Sequence, residues 1–109
     1  MTNERVKGKK SIHPFEIDIH VVFYKQGTHH LWLECKNLKR KIKRNDVFVL
    51  EAKNNDIGSF WTSVFDCLGI VSTTDFDSDA LSIAKAKNIA CIYYEKGRYR
   101  IRNKPWWMP

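Results

Sequence analysis

The sequence predicts an α/β fold built on a mixed β-sheet with flanking helices, and three observations carry that expectation. Two segments rich in β-branched, aromatic and aliphatic residues, FEIDIHVVF and HLWLECK, are separated by the turn-forming Lys25-Gln26-Gly27-Thr28, which predicts a hairpin. A strand, helix, strand order follows over residues 68–73, the alanine-rich DALSIAKAKN and residues 89–94, and it implies a right-handed parallel crossover. With 109 residues and 43% hydrophobic content, the chain can form one compact domain and is too short for two.

Residues 1–10 are polar and basic and are broken by Gly8, so they read as an arm or a short edge strand around 5–7. A single domain then spans 11–103, starting with the hairpin. After the basic stretch KNLKRKIKR, the segment DVFVLEAKNND reads as a short helix from Asn45 or Asp46, with Asn45 as cap and Val47, Leu50 and Phe48 facing inward. Residues 56–59 read as a turn, and 60–65 as a short strand or an irregular aromatic segment. The apolar run 68–73 is a buried strand. Asp77 or Ser78 caps an amphipathic helix whose inner face is Ala80, Leu81, Ile83 and Ala84, and Asn88 stops it. Strand 89–94, a turn at 95–97 and the arginine-bearing RYRIR complete the domain, leaving 104–109 as an aromatic tail.

Nineteen Lys and Arg against twelve Asp and Glu give a formal charge of +7, a field that favours polyanions such as nucleic acid. Cys35, Cys67 and Cys91 are odd in number and widely spaced, with no Cys-x-x-Cys pair and no secretory leader, which predicts a reduced, cytoplasmic protein. Cys35 and Cys91 read as small buried hydrophobes. No apolar run approaches the roughly 20 residues that a membrane-spanning helix needs.

Alternation along the strands places the chemistry. Ile17, Ile19, Val21 and Phe23 share one face of the first segment, so Glu16, Asp18 and His20 take the other. In the second, Leu31, Leu33 and Cys35 oppose Trp32, Glu34 and Lys36. If the two apolar faces cover one core, Asp18, Glu34 and Lys36 converge on the opposite side, and a turn near Gln26 or Gly27 sets Asp18 level with Glu34 or Lys36. Asp18 and Glu34, with the backbone carbonyl of Cys35, could hold Mg²⁺ or Mn²⁺, which prefer hard oxygen donors. Lys36 would orient or deprotonate an attacking water, or stabilise the charge of a pentavalent phosphorus. Lys39, Arg40, Lys41, Lys43 and Arg44 form one candidate phosphate-contacting patch, and Arg98, Arg100 and Arg102 a second. His20, His29 and His30 read as bystanders, and Trp106 and Trp107 as core-docking or dimer-contact residues.

The stretch IDIHVVFYKQGTHHLWLECKNLKRKIKRNDVFVL, with its Asp and Glu-x-Lys on a hairpin before a helix, resembles the core of the PD-(D/E)xK nuclease superfamily, and specifically Mrr-like restriction endonuclease domains. IVSTTDFDSDALSIAKAKNIACIYY resembles the later part of those domains, and Gly8-Lys9-Lys10-Ser11 the basic approach to the Asp strand. The likeness, over about residues 7–95, implies a restriction-endonuclease-like fold hydrolysing phosphodiester bonds in DNA, with RNA left open. It makes Asp18 and Glu34 metal ligands and Lys36 the catalytic lysine. Ile17 stands where the superfamily motif has Pro. The segment before Ser11 is too short for the helix with which these domains begin, which implies a homodimer, another subunit or a reduced site. The alternatives are a non-catalytic nucleic-acid-binding module or subunit, and a structural interaction protein.

Overall fold

The predicted hairpin forms, but its first strand is two strands meeting at a bend. A computed structural model of the chain describes residues 4–7, 14–60 and 65–109. Strand β1 (Glu4–Lys7) pairs antiparallel with β2 (Pro14–Ile17) as a separate two-stranded sheet. At Asp18 the chain bends and continues as β3 (Ile19–Tyr24). The edge strand expected around 5–7 is therefore present, whereas the basic approach at 8–11 lies outside the described residues.

Strand β3 turns into β4 (Thr28–Lys36) through Gln26 at φ 55° and Gly27 at φ 129°, a left-handed path that glycine adopts without strain. The register pairs Ile19 with Leu33 and His20 with Trp32, which puts Asp18 level with Glu34. Helix α1 (Arg44–Phe60) then leads to β5 (Cys67–Ser72), α2 (Ser78–Lys87) to β6 (Ile89–Glu95), and a tight Lys96-Gly97 turn to β7 (Arg98–Asn103). The five strands run in the order β3-β4-β5-β6-β7, parallel from β4 to β6 and antiparallel at both edges. This is the α/β mixed sheet that the sequence predicts.

Helix α1 is longer than its sequence suggests. Residues 56–59, read as a turn, lie within it, and it starts at Arg44 with Lys43 at the cap position rather than Asn45. Asp46 explains the earlier start: its carboxylate accepts from the Lys43 N–H at 2.8 Å, and the Asp46 N–H donates to the Lys43 carbonyl at 2.9 Å. Phe48, expected inside, is exposed, while Val47 and Leu50 are buried. Of the 60–65 segment, Phe60 ends α1, 61–64 lie outside the described residues, and Phe65 packs edge-on against Trp32 and His20.

Helix α2 follows its prediction. Asp77 Oδ1 accepts from the Ala80 N–H at 2.8 Å, and Asn88 ends the helix at φ 56°. Asp77→Ala should lower stability by about 1 kcal/mol, readable as a reduced midpoint in urea with an unchanged slope.

Both helices pack on one face of the sheet, where Trp32, Ile70 and Ile89 meet Val47, Leu50 and Ala84 in the larger core. That corrects the expectation of a core under Leu31, Leu33 and Cys35 with Glu34 on the solvent side: Trp32 is 0% and Glu34 7% exposed, while Cys35 is exposed. Two consecutive parallel crossovers in the same direction place both helices on the same side, so β4 is covered on its Trp32 face. The opposite face carries a smaller cluster of Leu31, Cys67 and Ala90, capped by Trp107. The tail at 104–109 thus belongs to the fold: Trp107 is buried and its indole N–H donates to the Asn88 carbonyl at 3.0 Å. No helix among the described residues is long and apolar enough to cross a membrane.

Candidate active site

Asp18 owes its position to the bend between β2 and β3, which frees its side chain from a regular strand. Its Oδ2 accepts from the Cys35 N–H at 2.9 Å, locking the carboxylate across the hairpin beside Glu34. The two carboxyls are in hydrogen-bonding contact. The contact from Cys35 to Asp18 is thus made by its amide N–H. The site lies at the carboxyl end of β4, next to the ends of its parallel neighbours, which is where open α/β sheets gather ligands.

Glu34 is an unusual acid. Burial beneath α1, reinforced by the hydrogen bond with Asp18, pushes its pKa from 4.5 up to about 7. Lys53 works against that rise. Its ammonium, projecting from α1, stands 3.7 Å from Glu34 Oε2 and favours the ionised form, with a smaller contribution from Lys36. Lys36 is half-buried at the end of β4 and acts electrostatically on both Glu34 and Asp46. Nothing in the sequence pattern singles out Lys53, because which face of α1 turns toward the sheet depends on how far the helix extends.

The structure sorts the predicted phosphate-contacting residues. Arg40 is committed to the fold: its guanidinium grips Asp46 through two bonds of 2.8 and 3.1 Å and reaches the Lys41 carbonyl at 3.0 Å. The Arg40 hydrogen bond holds Asp46 below the usual carboxylate range. Arg102 donates from Nε to Asp75 at 3.0 Å, and Arg100 stands 3.7 Å from Glu95. Lys39, Lys41, Lys43, Arg44 and Arg98 are exposed. Their segment is pinned near the site, with the Ile42 N–H donating to the Asp75 carbonyl at 2.9 Å and Thr73 N–H to the Lys36 carbonyl at 3.1 Å.

The histidines expected as bystanders all have partners. His20 Nε2 lies 3.0 Å from His30 Nδ1 on the same face as Glu34. His29, Asp66 and Cys67 bring three ligand-type atoms within 4.8 Å of one another at the opposite end of β4. This cluster is better described as a clasp than a metal site. His29 Nδ1 lies 2.5 Å from Asp66 Oδ2 and Nε2 lies 2.8 Å from the Lys25 carbonyl, so both ring nitrogens are engaged within the fold. Burial pushes the Cys67 thiol up to about 12.

The Asp66 hydrogen bond raises His29 above 6.5. Burial raises Asp66, but its bonds with His29 and the His30 N–H outweigh that and leave it below 3.8. The His29 contribution is fully present below pH 6.5 and is lost as pH rises through its folded value; that of Asp66 is lost as pH falls through its own. Because His29 contacts Trp106, and Lys25 Nζ donates to the Trp106 carbonyl at 2.7 Å, raising the pH should loosen the tail. A tryptophan fluorescence change above about pH 6.5 is expected, absent in His29→Gln; an identical titration in that variant would dissociate the clasp from the tail.

No protein-family model matches the chain, and no curated protein matches it. The crystal structure of AF1548, a protein described as of unknown function, matches with a TM-score of 0.64 and 24% sequence identity, covering 84% of this chain and 46% of that one. The chain spans less than half the length of that relative, and the likeness establishes a shared fold alone.

Proposed function

We propose that the protein is a metal-dependent deoxyribonuclease of the PD-(D/E)xK type, acting in a reducing, intracellular setting on DNA. The observation that carries this reading is the contact between the Asp18 and Glu34 carboxyls at the carboxyl end of β4, with Lys36 and Lys53 beside them. Burial favours the protonated form of Glu34, and a divalent cation between Glu34 and Asp18 is the natural replacement for that proton. The all-oxygen donor set fits Mg²⁺ or Mn²⁺, which Asp18 and Glu34 would hold. Such an ion supplies Lewis acidity toward the phosphoryl oxygens and toward water.

The chain's own residues supply the rest. The Cys35 N–H fixes Asp18, and Lys53 favours ionised Glu34. Lys36 places a positive charge where negative charge grows on phosphorus. Exposed Lys39, Lys41, Lys43 and Arg44 grip flanking phosphates.

Incubating the protein with plasmid DNA and Mg²⁺, with a chelator control and Asp18→Asn, tests this. Metal-dependent nicking lost in Asp18→Asn is expected; nicking that survives that substitution removes the assignment. Lys53 favours a second reading. Its ammonium already compensates Glu34, as it would in a module that binds nucleic acid without cutting it, and salt-dependent binding without cleavage would select that reading.

A further inference from the structure

Tyr94 and Tyr99 are a pair that the site described above does not use. They face each other across β6 and β7 with ring centroids 4.9 Å apart and planes inclined at 52°, yet they stand 38% and 69% exposed. Aromatic rings on a sheet are ordinarily covered, because each removes a large apolar area from water. These two border a concavity of about 280 Å³ whose other walls are Cys35, Lys36, Asn37, Val71, Ser72 and Thr73. That volume is near the lower end of ligand sites and suits one nucleoside, not a duplex. The concavity lies on the sheet face opposite Glu34, since Tyr94 shares the face of Ile92 and Cys35, and it adjoins the acid pair through Lys36 at the carboxyl end of β4.

We propose that Tyr94 and Tyr99 form a stacking platform for one unpaired base of the polynucleotide whose phosphate lies at the Asp18 and Glu34 centre. The substrate would then be single-stranded, bulged or flapped, and this inference rests on the nucleic-acid reading above. The rings offer a π-face, which a base inside an intact duplex cannot meet because its own faces are already stacked. Charge complementarity selects the occupant: Lys36 lines the concavity and the chain carries +7. Asn37 and Thr73, joined by a 2.8 Å bond from Thr73 Oγ1 to Asn37 Oδ1, place polar groups at the rim where a base edge would lie.

The test is fluorescence anisotropy, without added metal, on a labelled oligothymidylate and a hairpin duplex, together with a strand carrying a fluorescent purine analogue. Wild type should prefer the single strand and quench the analogue. Tyr99→Ala should weaken single-strand binding about tenfold and abolish the quenching, Tyr99→Phe should retain both, and duplex binding should change by less than about twofold. Tyr94→Ala repeats the measurement on the less exposed ring, and a thermal melt establishes that each variant is folded. Unchanged single-strand affinity in Tyr99→Ala overturns the platform. Metal-dependent cleavage of duplex and single strand alike, without quenching, overturns the platform and leaves the nuclease intact. Absence of binding to any nucleic acid at low salt overturns both. Loss of a dimer in Tyr99→Ala with binding unchanged identifies the face as a self-contact and overturns the platform too.

Discussion

Lys36→Ala is expected to lower Mg²⁺-dependent plasmid cleavage by about a hundredfold or more while changing stability by about 0.5 kcal/mol or less. The asymmetry follows from where the ammonium stands. Lys36 is half-buried at the end of a strand and makes no ion pair within 4 Å of a described acid, so the fold gains little from it. Its positive charge nevertheless reaches Glu34, next to which phosphorus would gain negative charge. Lys53→Ala is the necessary comparison, because its ammonium is 3.7 Å from Glu34 Oε2 and a helix lysine could supply the same charge. We expect that change to act through Glu34, moving the pH dependence of cleavage upward more than it lowers the plateau. Full activity in Lys36→Ala with loss of the plateau in Lys53→Ala would transfer the catalytic role to Lys53.

Glu34→Gln should remove cleavage and, at the same time, stabilise the metal-free protein above neutral pH. The sign follows from burial. Between pH 4.5 and about 7 the folded protein holds a proton on Glu34 that the unfolded chain has released, so stability falls as pH rises through that interval. The full difference corresponds to about 3 kcal/mol. An amide keeps the shape and can donate to Asp18 without ever ionising, so thermal melts of Glu34→Gln should be flat where those of wild type decline. Adding Mg²⁺ at about pH 8 should raise the wild-type midpoint and leave the variant unmoved, since the ion would bind only the intact acid pair. Wild-type melts that neither decline between about pH 5 and 8 nor respond to Mg²⁺ would sink the metal site.

Much of the site was legible in the strands. The two-residue period of β4 places Glu34 with Lys36, while Asp18, in the bend ahead of β3, comes opposite Glu34 through the register that follows the Gln26-Gly27 turn. Helix α2 was equally readable, because Asp77 and Asn88 mark its ends chemically. Helix α1 was not. Its interior sequence NNDIGS is made of turn-forming residues, and only packing of its inner face on the sheet overrides that preference. The basic stretch shows its charge in the sequence but not the partners of its members: the planar fork of Arg40 matches the Asp46 carboxylate across a loop that composition does not reveal.

The α/β class, the existence of the hairpin and the shared face of Glu34 and Lys36 follow from local periodicity and turn chemistry, whereas the register that sets Asp18 opposite Glu34, and not Lys36, comes from the folded hairpin. The tertiary structure alone decided which sheet face is covered. Both faces of β4 carry large apolar residues, Trp32 on one and Leu31 and Leu33 on the other, so periodicity cannot choose between them. The handedness of the β4-α1-β5 crossover makes that choice, and it lays α1 over Glu34. Burial then does to Glu34 what no spacing could predict. It takes the carboxyl out of water, presses it against Asp18 and brings Lys53 to its side, giving an acid that titrates near neutrality in place of an ordinary surface glutamate.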